Sequence, residues 1–423
     1  MTKMISSFKE AEEYFERYSP PRQQGHYQLD RMRELMKRLG NPQNKIPVIH
    51  VAGTSGKTST SYFIRALLQH SGMKTGLTVS PHITSIAERT QIDGKNLPEE
   101  IYLSYINQFK DSIMSFSDLE PTYFELAVAF SYWVFYRESV DYAVVETGLG
   151  GLLDATNVID NEDKLCVITP IGYDHTQILG DTLQEIATQK AGIIGDKNEV
   201  LISHQNQLLM SVFKDAAAKK SARIRLQARY PVPQFLPAFQ ADNWQLARTA
   251  FDVLARRNPR IKKLSVVEFE SSALETPPGR YEKYRIGDKT IILDGAHNPQ
   301  KIAALIESIP VEAARGLVIM ASLRKGPDGK IDDCIQLLTN LHRPIIVTEF
   351  KVGQDSKEIQ SESVHNMAQI AERHGGEVVL APDYSEAFNI LMKSPGNIKL
   401  VTGSLYLVSL VRKLITRNYE YTH

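Results

Sequence analysis

The sequence has few cysteines and no long apolar run. Its 423 residues include only Cys166 and Cys334, which lie far apart without a second metal-type partner, so neither a disulfide scaffold nor a zinc ribbon is expected. No run of about 18 apolar residues occurs, and the N-terminus is charged and amphipathic rather than a basic head followed by an apolar segment. We therefore expect a cytoplasmic protein in a reducing compartment, with no membrane partner.

The sequence also lacks a net charge, because 49 basic residues balance 49 acidic ones. Broad binding to nucleic acid or to an anionic membrane usually requires an excess of positive charge. Nothing in the overall composition indicates such a partner, so any charge selectivity must be local. No short-period repeat is evident either.

The order of apolar patterns predicts the domain organisation. Residues 1–45 form a helical preface, with apolar residues at spacings of three and four. Strand patterns then alternate with helical ones, which predicts a parallel sheet covered by helices. The Pro/Gly-containing stretch 272–280 has no apolar period and marks a boundary, after which the alternation begins again. We therefore predict a first domain over 1–275 and a smaller α/β domain over 276–423.

The segment HVAGTSGKTST, residues 50–60, contains a candidate phosphate-binding loop. Backbone N–H groups and the dipole at a helix N-terminus can hold phosphate oxygens. Lys57 adds a positive charge, and Thr58 and Ser59 offer hydroxyls to phosphate or to magnesium. Five positions before Gly56, however, the usual glycine is replaced by Val51. The loop alone therefore leaves a plain strand–turn–helix connection open.

Two polar residues follow apolar strands. Ligands bind beyond the carboxyl ends of parallel strands, so Glu146 can reach magnesium directly or through water, although a solvated acid is the alternative. His175 occupies a similar position, where a lone histidine is more often a satisfied surface or core residue. Asp181 and Gln184 predict a capping box for the next helix. Near the end of that helix, Lys190 is ordinarily explained by interaction with the helix C-terminus.

Ten ordered segments between residues 38 and 408 resemble the folylpolyglutamate synthase/dihydrofolate synthase family of the Mur ligase superfamily. They are LGNPQNKIPVIHVAGTSGKTST, TVSPHI, ERTQIDG, PTYFE, ETGLGGLLDATNVI, ITPIGYDHTQILGDTLQEIATQKAGII, QADNWQLA, PPGRYE, ILDGAHNP and VTGSLYLV. The resemblance implies an α/β fold. It also implies that a P-loop-type parallel-sheet ATPase domain precedes a smaller Rossmann-like C-terminal glutamate-ligase domain.

The resemblance also implies a reaction. ATP transfers its γ-phosphate to a carboxylate, and the amine of L-glutamate then displaces phosphate from the acyl phosphate to form an amide. Positioning and charge neutralisation dominate catalysis of such a transfer. The implied substrates are dihydropteroate or folate, L-glutamate and ATP, handled by a monomer with Mg²⁺ and a possible monovalent cation.

Site residues are implied by the same motifs. Those expected to hold ATP are Gly53, Thr54, Ser55, Gly56, Lys57, Thr58, Ser59, Asn243 at the adenine, Arg280 and Asp294. Those expected to bind metal are Ser59, Ser80, Glu146, His175 and Lys190. Catalytic roles are implied for Lys57, His175, Lys190 and His297. Lys190 resembles a lysine that carbon dioxide carbamylates, which makes it anionic; an unmodified lysine would repel magnesium.

Substrate contacts are carried over in the same way. The residues that resemble the pterin-facing positions are Thr122, Tyr123, Phe124, Leu153, Asp154 and Ala155. An aromatic pair at a helix start is alternatively part of the core. Residues 28–30 of the preface are expected to add a lid.

Three features depart from the family pattern. Thr58 stands where the family has glycine, which is compatible with phosphate binding if the backbone there needs no positive φ. Leu152 replaces a common arginine and so removes a bidentate partner for a carboxylate. The segment 320–330 is longer than usual. Two alternatives therefore stay open: a Mur-type ligase acting on a nucleotide-sugar substrate, and a catalytically inactive nucleotide-binding homologue.

Overall fold

A computed structural model describes residues 4–18, 29–116, 118–310, 316–325, 330–354 and 357–422. Gln28 of the expected lid and residues 326–329 of the long segment lie outside these ranges. The chain divides into two compact units. The first comprises Met1–Leu236 and Gln240–Glu275, and the second comprises Pro237–Phe239 and Thr276–His423.

The first unit contains ten of the described α-helices and eight strands. The helices are α1 (Phe8–Glu16), α2 (Asp30–Arg38), α3 (Lys57–His70), α4 (Glu99–Ile113), α5 (Tyr123–Arg137), α6 (Thr176–Leu179), α7 (Leu183–Ala191), α8 (Met210–Lys219), α9 (Ala238–Arg257) and α10 (Val266–Leu274). The strands are β1 (Val48–Ala52), β2 (Thr75–Thr78), β3 (Gln91–Ile92), β4 (Lys95–Asn96), β5 (Tyr142–Glu146), β6 (Leu165–Ile168), β7 (Glu199–Ile202) and β8 (Arg223–Leu226).

These strands form one sheet in the order β4-β3-β2-β5-β1-β6-β7-β8. From β2 to β8 the neighbours run parallel, as predicted. The β3 and β4 edge is antiparallel, which the sequence analysis missed. Asp93 and Gly94 both have positive φ, and such a two-residue turn can join only antiparallel strands.

The central strands are buried on both faces because helices cover each side. Along β5, Ala143 and Val145 belong to one apolar cluster, with α1, α2, α4 and α5. Val144 between them belongs to another, with α3 and α9. Alternate residues of a strand point to opposite faces, so a nearly continuous apolar run satisfies both layers.

The second unit carries a smaller sheet in the order β15-β12-β11-β16-β10-β9, and a separate hairpin of β13 and β14. Its strands are β9 (Glu282–Ile286), β10 (Lys289–Leu293), β11 (Leu317–Ala321), β12 (Ile345–Val347), β13 (Lys351–Gln354), β14 (Lys357–Gln360), β15 (Val378–Leu380) and β16 (Ile398–Thr402). Its helices are α11 (Pro299–Glu307), α12 (Lys330–Thr339), α13 (Val364–Arg373), α14 (Tyr384–Lys393) and α15 (Leu405–Asn418). Only β9 runs antiparallel in the six-stranded sheet. The predicted α/β class is confirmed.

The stretch predicted to be irregular from residue 272 begins as helix. α10 continues to Leu274, because Ser265 and Glu268 form a capping box at its start and Ala273 packs in the apolar core. The two units divide directly afterwards, between Glu275 and Thr276. Among the described residues, no helix has the length and apolarity required to cross a bilayer.

Candidate active site

The candidate phosphate loop connects β1 to α3 at the carboxyl edge of the larger sheet. Gly56 is the N-cap of α3, with a φ of 82°. A Cβ at this position would lie 2.1 Å from Asn243 Oδ1, so only glycine suits both the backbone and the space. The predicted adenine contact, Asn243 of α9, therefore packs directly against the loop.

The loop divides its backbone donors between protein and ligand. Thr54 N and Ser55 N donate to Pro170 O at 2.9 and 3.2 Å, so these two residues fasten the loop to the segment after β6. The first N–H groups of a helix have no intrahelical acceptor, which leaves the start of α3 for phosphate oxygens. Lys57 Nζ donates to Gly53 O at 3.1 Å and spans the loop.

Thr58 lies inside α3 and has no positive φ. Its side chain is therefore accommodated without backbone strain, which is the condition under which a loop with threonine at this position can bind phosphate. Thr58 Oγ1 donates to Glu146 Oε1 at 2.9 Å, which brings the phosphate loop together with the acid at the end of β5. The sequence analysis assigned the hydroxyl of Thr58 to phosphate or magnesium but did not predict its contact with Glu146.

Ser80, which follows β2, belongs to the same corner. A cavity of about 10 Å³ has Ser80, Glu146, Phe124 and Arg89 among its lining residues, which is room for roughly one water. The structure thus brings together two predicted metal ligands and one predicted substrate residue. Ser59, another predicted ligand, is buried one residue after Thr58.

Several buried hydroxyls near the phosphate loop have no hydrogen-bond partner among the described residues. They are Ser55 Oγ, Thr147 Oγ1 and Thr169 Oγ1. A buried polar atom without a partner costs free energy. Thr169 lies so close to the loop that a Cβ on Gly53 would meet its Oγ1 at 1.8 Å. These groups are therefore candidates to bind the nucleotide or its water.

Lys190 is buried near the C-terminus of α7. The glycine-rich loop after β5 (148–157) covers it, because a Cβ on Gly151 would lie 3.1 Å from Lys190 Cα. Leu152 N donates to Gln189 O at 2.7 Å, while the side chain of Leu152 is 41% exposed. The loop and the helix end thus form one packed element.

The capping box of α7 was predicted one residue too early. Thr182, not Asp181, caps the helix, and Glu185 rather than Gln184 completes the box. Both pairs have the required spacing, but the main chain is extended at Thr182, which a cap residue requires.

His175 lies after β6 and caps the four-residue α6 with a φ of 52°. Its side chain is 57% exposed, and its Nε2 lies 3.9 Å from Asp174 Oδ1. Across the described part of the chain, no three His, Cys, Asp or Glu side chains gather into a metal cluster.

The predicted substrate residues occupy different environments. Tyr123 is buried and packs against Phe15 in the aromatic core, whereas the ring of Phe124 lies against Gly148 and lines the small cavity. Thr122 uses its hydroxyl to cap α5 by accepting from Glu125 N.

The other three predicted substrate residues lie in the glycine-rich loop. Leu153 is exposed, while Asp154 and Ala155 are buried. Burial of Asp154 raises the pKa of its carboxyl, and hydrogen bonds from the loop oppose this shift.

Arg89 was missed as a candidate, although its motif ERTQIDG had been noticed. It is buried, lines the small cavity and lies with its guanidinium carbon 5.1 Å from the centre of the Tyr123 ring. Arg89 Nε donates to His82 Nδ1 at 2.9 Å, and His82 Nε2 lies 3.2 Å from Glu12 Oε1. The burial of Arg89 and its place in the cavity beside Glu146 are visible only in the structure. In the sequence, the arginine of the motif ERTQIDG is the signal that could have found it.

The remaining predicted residues form a cluster within the second unit. Asp294, at the end of β10, accepts from Tyr281 N and Ala296 N, both at 2.8 Å. Burial raises the pKa of this carboxyl, and the charge of Arg280 opposes the shift. Arg280 Nη1 would lie 3.2 Å from a Cβ on Gly295. His297 completes the cluster, with its Nδ1 2.7 Å from Gly295 O.

Comparison with known proteins identifies this arrangement. The model of the Mur ligase middle domain matches residues 51–230, and that of the Mur ligase, glutamate ligase domain matches residues 279–405. A Bacillus subtilis protein named dihydrofolate synthase/folylpolyglutamate synthase is 31% identical over 417 residues, covering 91% of this chain and 94% of its own length. The chain belongs to the dihydrofolate synthase/folylpolyglutamate synthase family.

Solved structures of this family share the fold. The folylpolyglutamate synthase of Mycobacterium tuberculosis, complexed with ADP, superposes with a TM-score of 0.81 at 26% identity, covering 99% of this chain and 100% of that one. A bifunctional folylpolyglutamate synthase/dihydrofolate synthase from Yersinia pestis, complexed with AMPPNP and Mn ion, superposes with a TM-score of 0.80 at 23% identity. The match covers 98% of this chain and 100% of that one. The latter likeness shows the fold alone.

Proposed function

We propose that this chain is an ATP-dependent ligase that joins L-glutamate to the carboxylate of a pteroate or folate. The observation that carries the proposal is the contact between Thr58 and Glu146. It places a phosphate loop with its lysine beside a strand-end carboxylate, within a chain of this family. In the reaction, the acid attacks the γ-phosphorus of ATP and releases ADP. The amine of glutamate then attacks the acyl carbon, and phosphate leaves.

The phosphate loop supplies the positioning. Backbone N–H groups at the start of α3 bind the phosphate oxygens, and Lys57 neutralises the charge that develops on the transferred group. Asn243 lies against Gly56 and contacts the adenine. Arg280 and Asp294 are proposed to contact ATP, and His297 is proposed to take part in catalysis.

The donors at the corner suit magnesium. Mg²⁺ is held by one or two carboxylates together with substrate phosphates and water. Glu146 and Ser80 line the small cavity and provide a carboxylate and a hydroxyl, and Ser59 is proposed as a further ligand. The ion supplies neutralisation of phosphate charge when it is bound. His175 and Lys190 are proposed for a second metal position, and a monovalent cation is a further prediction.

Lys190 is proposed to be carbamylated. Its neutral amine attacks carbon dioxide, forms an N–C bond and loses a proton, which gives an anionic carbamate. An unmodified ammonium would repel magnesium, whereas an anionic carbamate suits a metal-binding role. A carbonyl signal that appears with ¹³C-labelled bicarbonate and disappears in Lys190→Met tests this assignment.

The pterin-linked substrate is proposed to lie along Phe124 and the exposed part of the glycine-rich loop at Leu153. Thr122, Tyr123, Asp154 and Ala155 support these two positions. The lid proposed over 28–30 completes the pocket. We also propose that the chain acts as a monomer in the cytoplasm, which light scattering and cell fractionation test.

ADP release distinguishes this function from its rivals. The purified protein is incubated with ATP, Mg²⁺ and L-glutamate, and with dihydropteroate, tetrahydrofolate or a muramyl-peptide nucleotide as the acid. We expect release to require a pterin substrate, and the more active pterin separates first-glutamate addition from chain extension. Release only with the muramyl substrate would favour the Mur-type ligase, and no release with any acid would favour an inactive homologue.

A further inference from the structure

A buried chain of hydrogen bonds joins the strand before the phosphate loop to the glycine-rich loop. His50, in the middle of β1, lies with its Nε2 2.8 Å from Thr156 Oγ1. Thr156 Oγ1 lies 2.5 Å from Asp154 Oδ1. All three side chains are 5% exposed or less. Neither His50 nor Thr156 has a part in the reaction described above.

At the far end of this chain, Asp154 closes the glycine-rich loop on itself. Leu149 N donates to Asp154 Oδ2 at 2.7 Å, and Thr156 N donates to Oδ1 at 3.0 Å. Tyr132 Oη donates to Thr156 O at 3.0 Å and ties the loop to α5. The carboxylate therefore organises the loop from within, rather than pointing outward as a simple substrate contact.

The loop in turn rests on the end of α7. Leu152 N donates to Gln189 O at 2.7 Å, and Asn157 Nδ2 donates to Gly192 O at 2.9 Å. These two bonds lie on either side of Lys190 in the sequence. A change in the conformation of the loop would therefore alter these contacts with the helix end that carries Lys190.

The hydrogen bonds have one favoured direction. Thr156 has a single hydroxyl proton, which the carboxylate of Asp154 attracts, so the hydroxyl oxygen accepts from His50 Nε2–H. The ring is then neutral, and its buried Nδ1 is a bare acceptor without a partner among the described residues. The opposite direction would bury an N–H without an acceptor, and such orphaned donors are rarer than under-satisfied acceptors.

We propose that His50 and Thr156 are positioning residues, which hold Asp154 and through it the glycine-rich loop against the α7 end at Lys190. For its catalytic consequence, the proposal rests on the proposed function. The two residues act through the loop and do not touch the reacting atoms. The loop carries Leu153, so substrate binding should depend on the Thr156 hydroxyl although that group is buried away from the substrate.

Two pairs of variants isolate the hydrogen bonds from the packing. Thr156→Val keeps the shape but removes the hydroxyl, whereas Thr156→Ser keeps the hydroxyl. His50→Met removes the donor, whereas His50→Gln places an amide N–H near the position of Nε2. We expect Thr156→Val and His50→Met to raise the KM for the pterin-linked acid ~10-fold. The KM for ATP should stay within about twofold, and Ser and Gln should restore the wild-type value.

Amide hydrogen exchange provides a readout that does not depend on activity. In Thr156→Val, the Leu149 and Thr156 amides should exchange ~10-fold faster than in Thr156→Ser, while the amides of α3 keep their rates. Equal exchange in the Val and Ser variants would overturn the positioning role, as would equal KM values in an active enzyme. If the wild type releases no ADP with any acid, the proposed function fails. The exchange measurement still decides whether His50 and Thr156 position the glycine-rich loop.

Discussion

The phosphate loop and the glycine-rich loop lie at the same edge of the larger sheet but differ in how their buried polar groups are hydrogen-bonded. The phosphate loop leaves Ser55 Oγ, and Thr169 Oγ1 beside it, buried without partners among the residues described. In the glycine-rich loop, the carboxylate of Asp154 accepts hydrogen bonds from Leu149 and Thr156. The unpartnered hydroxyls at the first loop are available to a ligand, whereas Asp154 in the second loop is satisfied by the protein itself.

This difference follows from the cost of burying polar atoms. An unsatisfied buried donor or acceptor costs about 1–3 kcal/mol, so such groups persist where a ligand satisfies them. A loop whose groups are satisfied internally can instead act as a rigid wall. Removing a ligand-facing side chain of the phosphate loop should therefore reduce activity while stability is kept, and removing a side chain beneath the glycine-rich loop should affect both.

The largest effect is expected at Lys57. Lys57→Met removes the charge that we propose faces the transferred phosphate, so kcat for ADP release with a pterin acid and glutamate should fall by about 100-fold or more. The melting temperature should change little, because the lysine bonds only to Gly53 O in the described structure. Lys95→Met, at an exposed position on β4, is the matched control. Full activity in Lys57→Met would show that the loop does not serve the reaction.

A smaller effect is expected at Gly56. Gly56→Ala should raise the KM for ATP by roughly 10-fold, because the new Cβ would collide with Asn243 Oδ1 and positive φ costs about 1–2 kcal/mol for an alanine. Gly287→Ala shares the positive φ of 59° but has nothing within 4 Å of its Cβ, so it should lose stability alone. Equal ATP KM values in the two variants would contradict the close packing of Asn243 on the loop.

The smallest effect is expected in the pH dependence of folding stability, at His50 beneath the glycine-rich loop. Burial lowers the pKa of His50 well below its usual 6.5, so this histidine stays neutral in the folded chain. Below pH 6.5 the unfolded chain binds a proton that the folded chain does not, and stability falls as pH decreases. Between pH 7.5 and 5.5 this amounts to a loss on the order of 1 kcal/mol.

His50→Gln removes this titration while it keeps a donor for Thr156. Urea unfolding at the two pH values should therefore show a smaller loss of unfolding free energy in His50→Gln than in the wild type, by an amount on the order of 1 kcal/mol. The raised pKa of Asp154 acts in the opposite direction, because its contribution to stability is lost as pH rises, but it is present in both proteins. Parallel pH profiles would mean that His50 does not stay neutral.

The apolar patterns predicted the central strands well, because strands buried on both faces are nearly continuous apolar runs. β1, β5 and β6 lie within the apolar strand patterns PVIHVAG (47–53), DYAVVETG (141–148) and KLCVITPIG (164–172), respectively. The short β3–β4 edge was missed, since two-residue strands such as Gln91–Ile92 carry no periodic pattern. The cap of α7 was placed one residue early because Asp181 and Thr182 are both good caps, and only the main-chain conformation separates them.

The sequence by itself determined the alternation of strands and helices, the glycine at the head of α3 and the family to which the chain belongs. These depend on local propensity and on residue order, which are written in the chain. Tertiary structure alone decided which side chains meet: Thr58 with Glu146, Asn243 with Gly56, and His50 with Thr156. These partners are separated by 88 to 187 residues, and their distances depend on how strands β1, β5 and the helices pack, which no local pattern specifies.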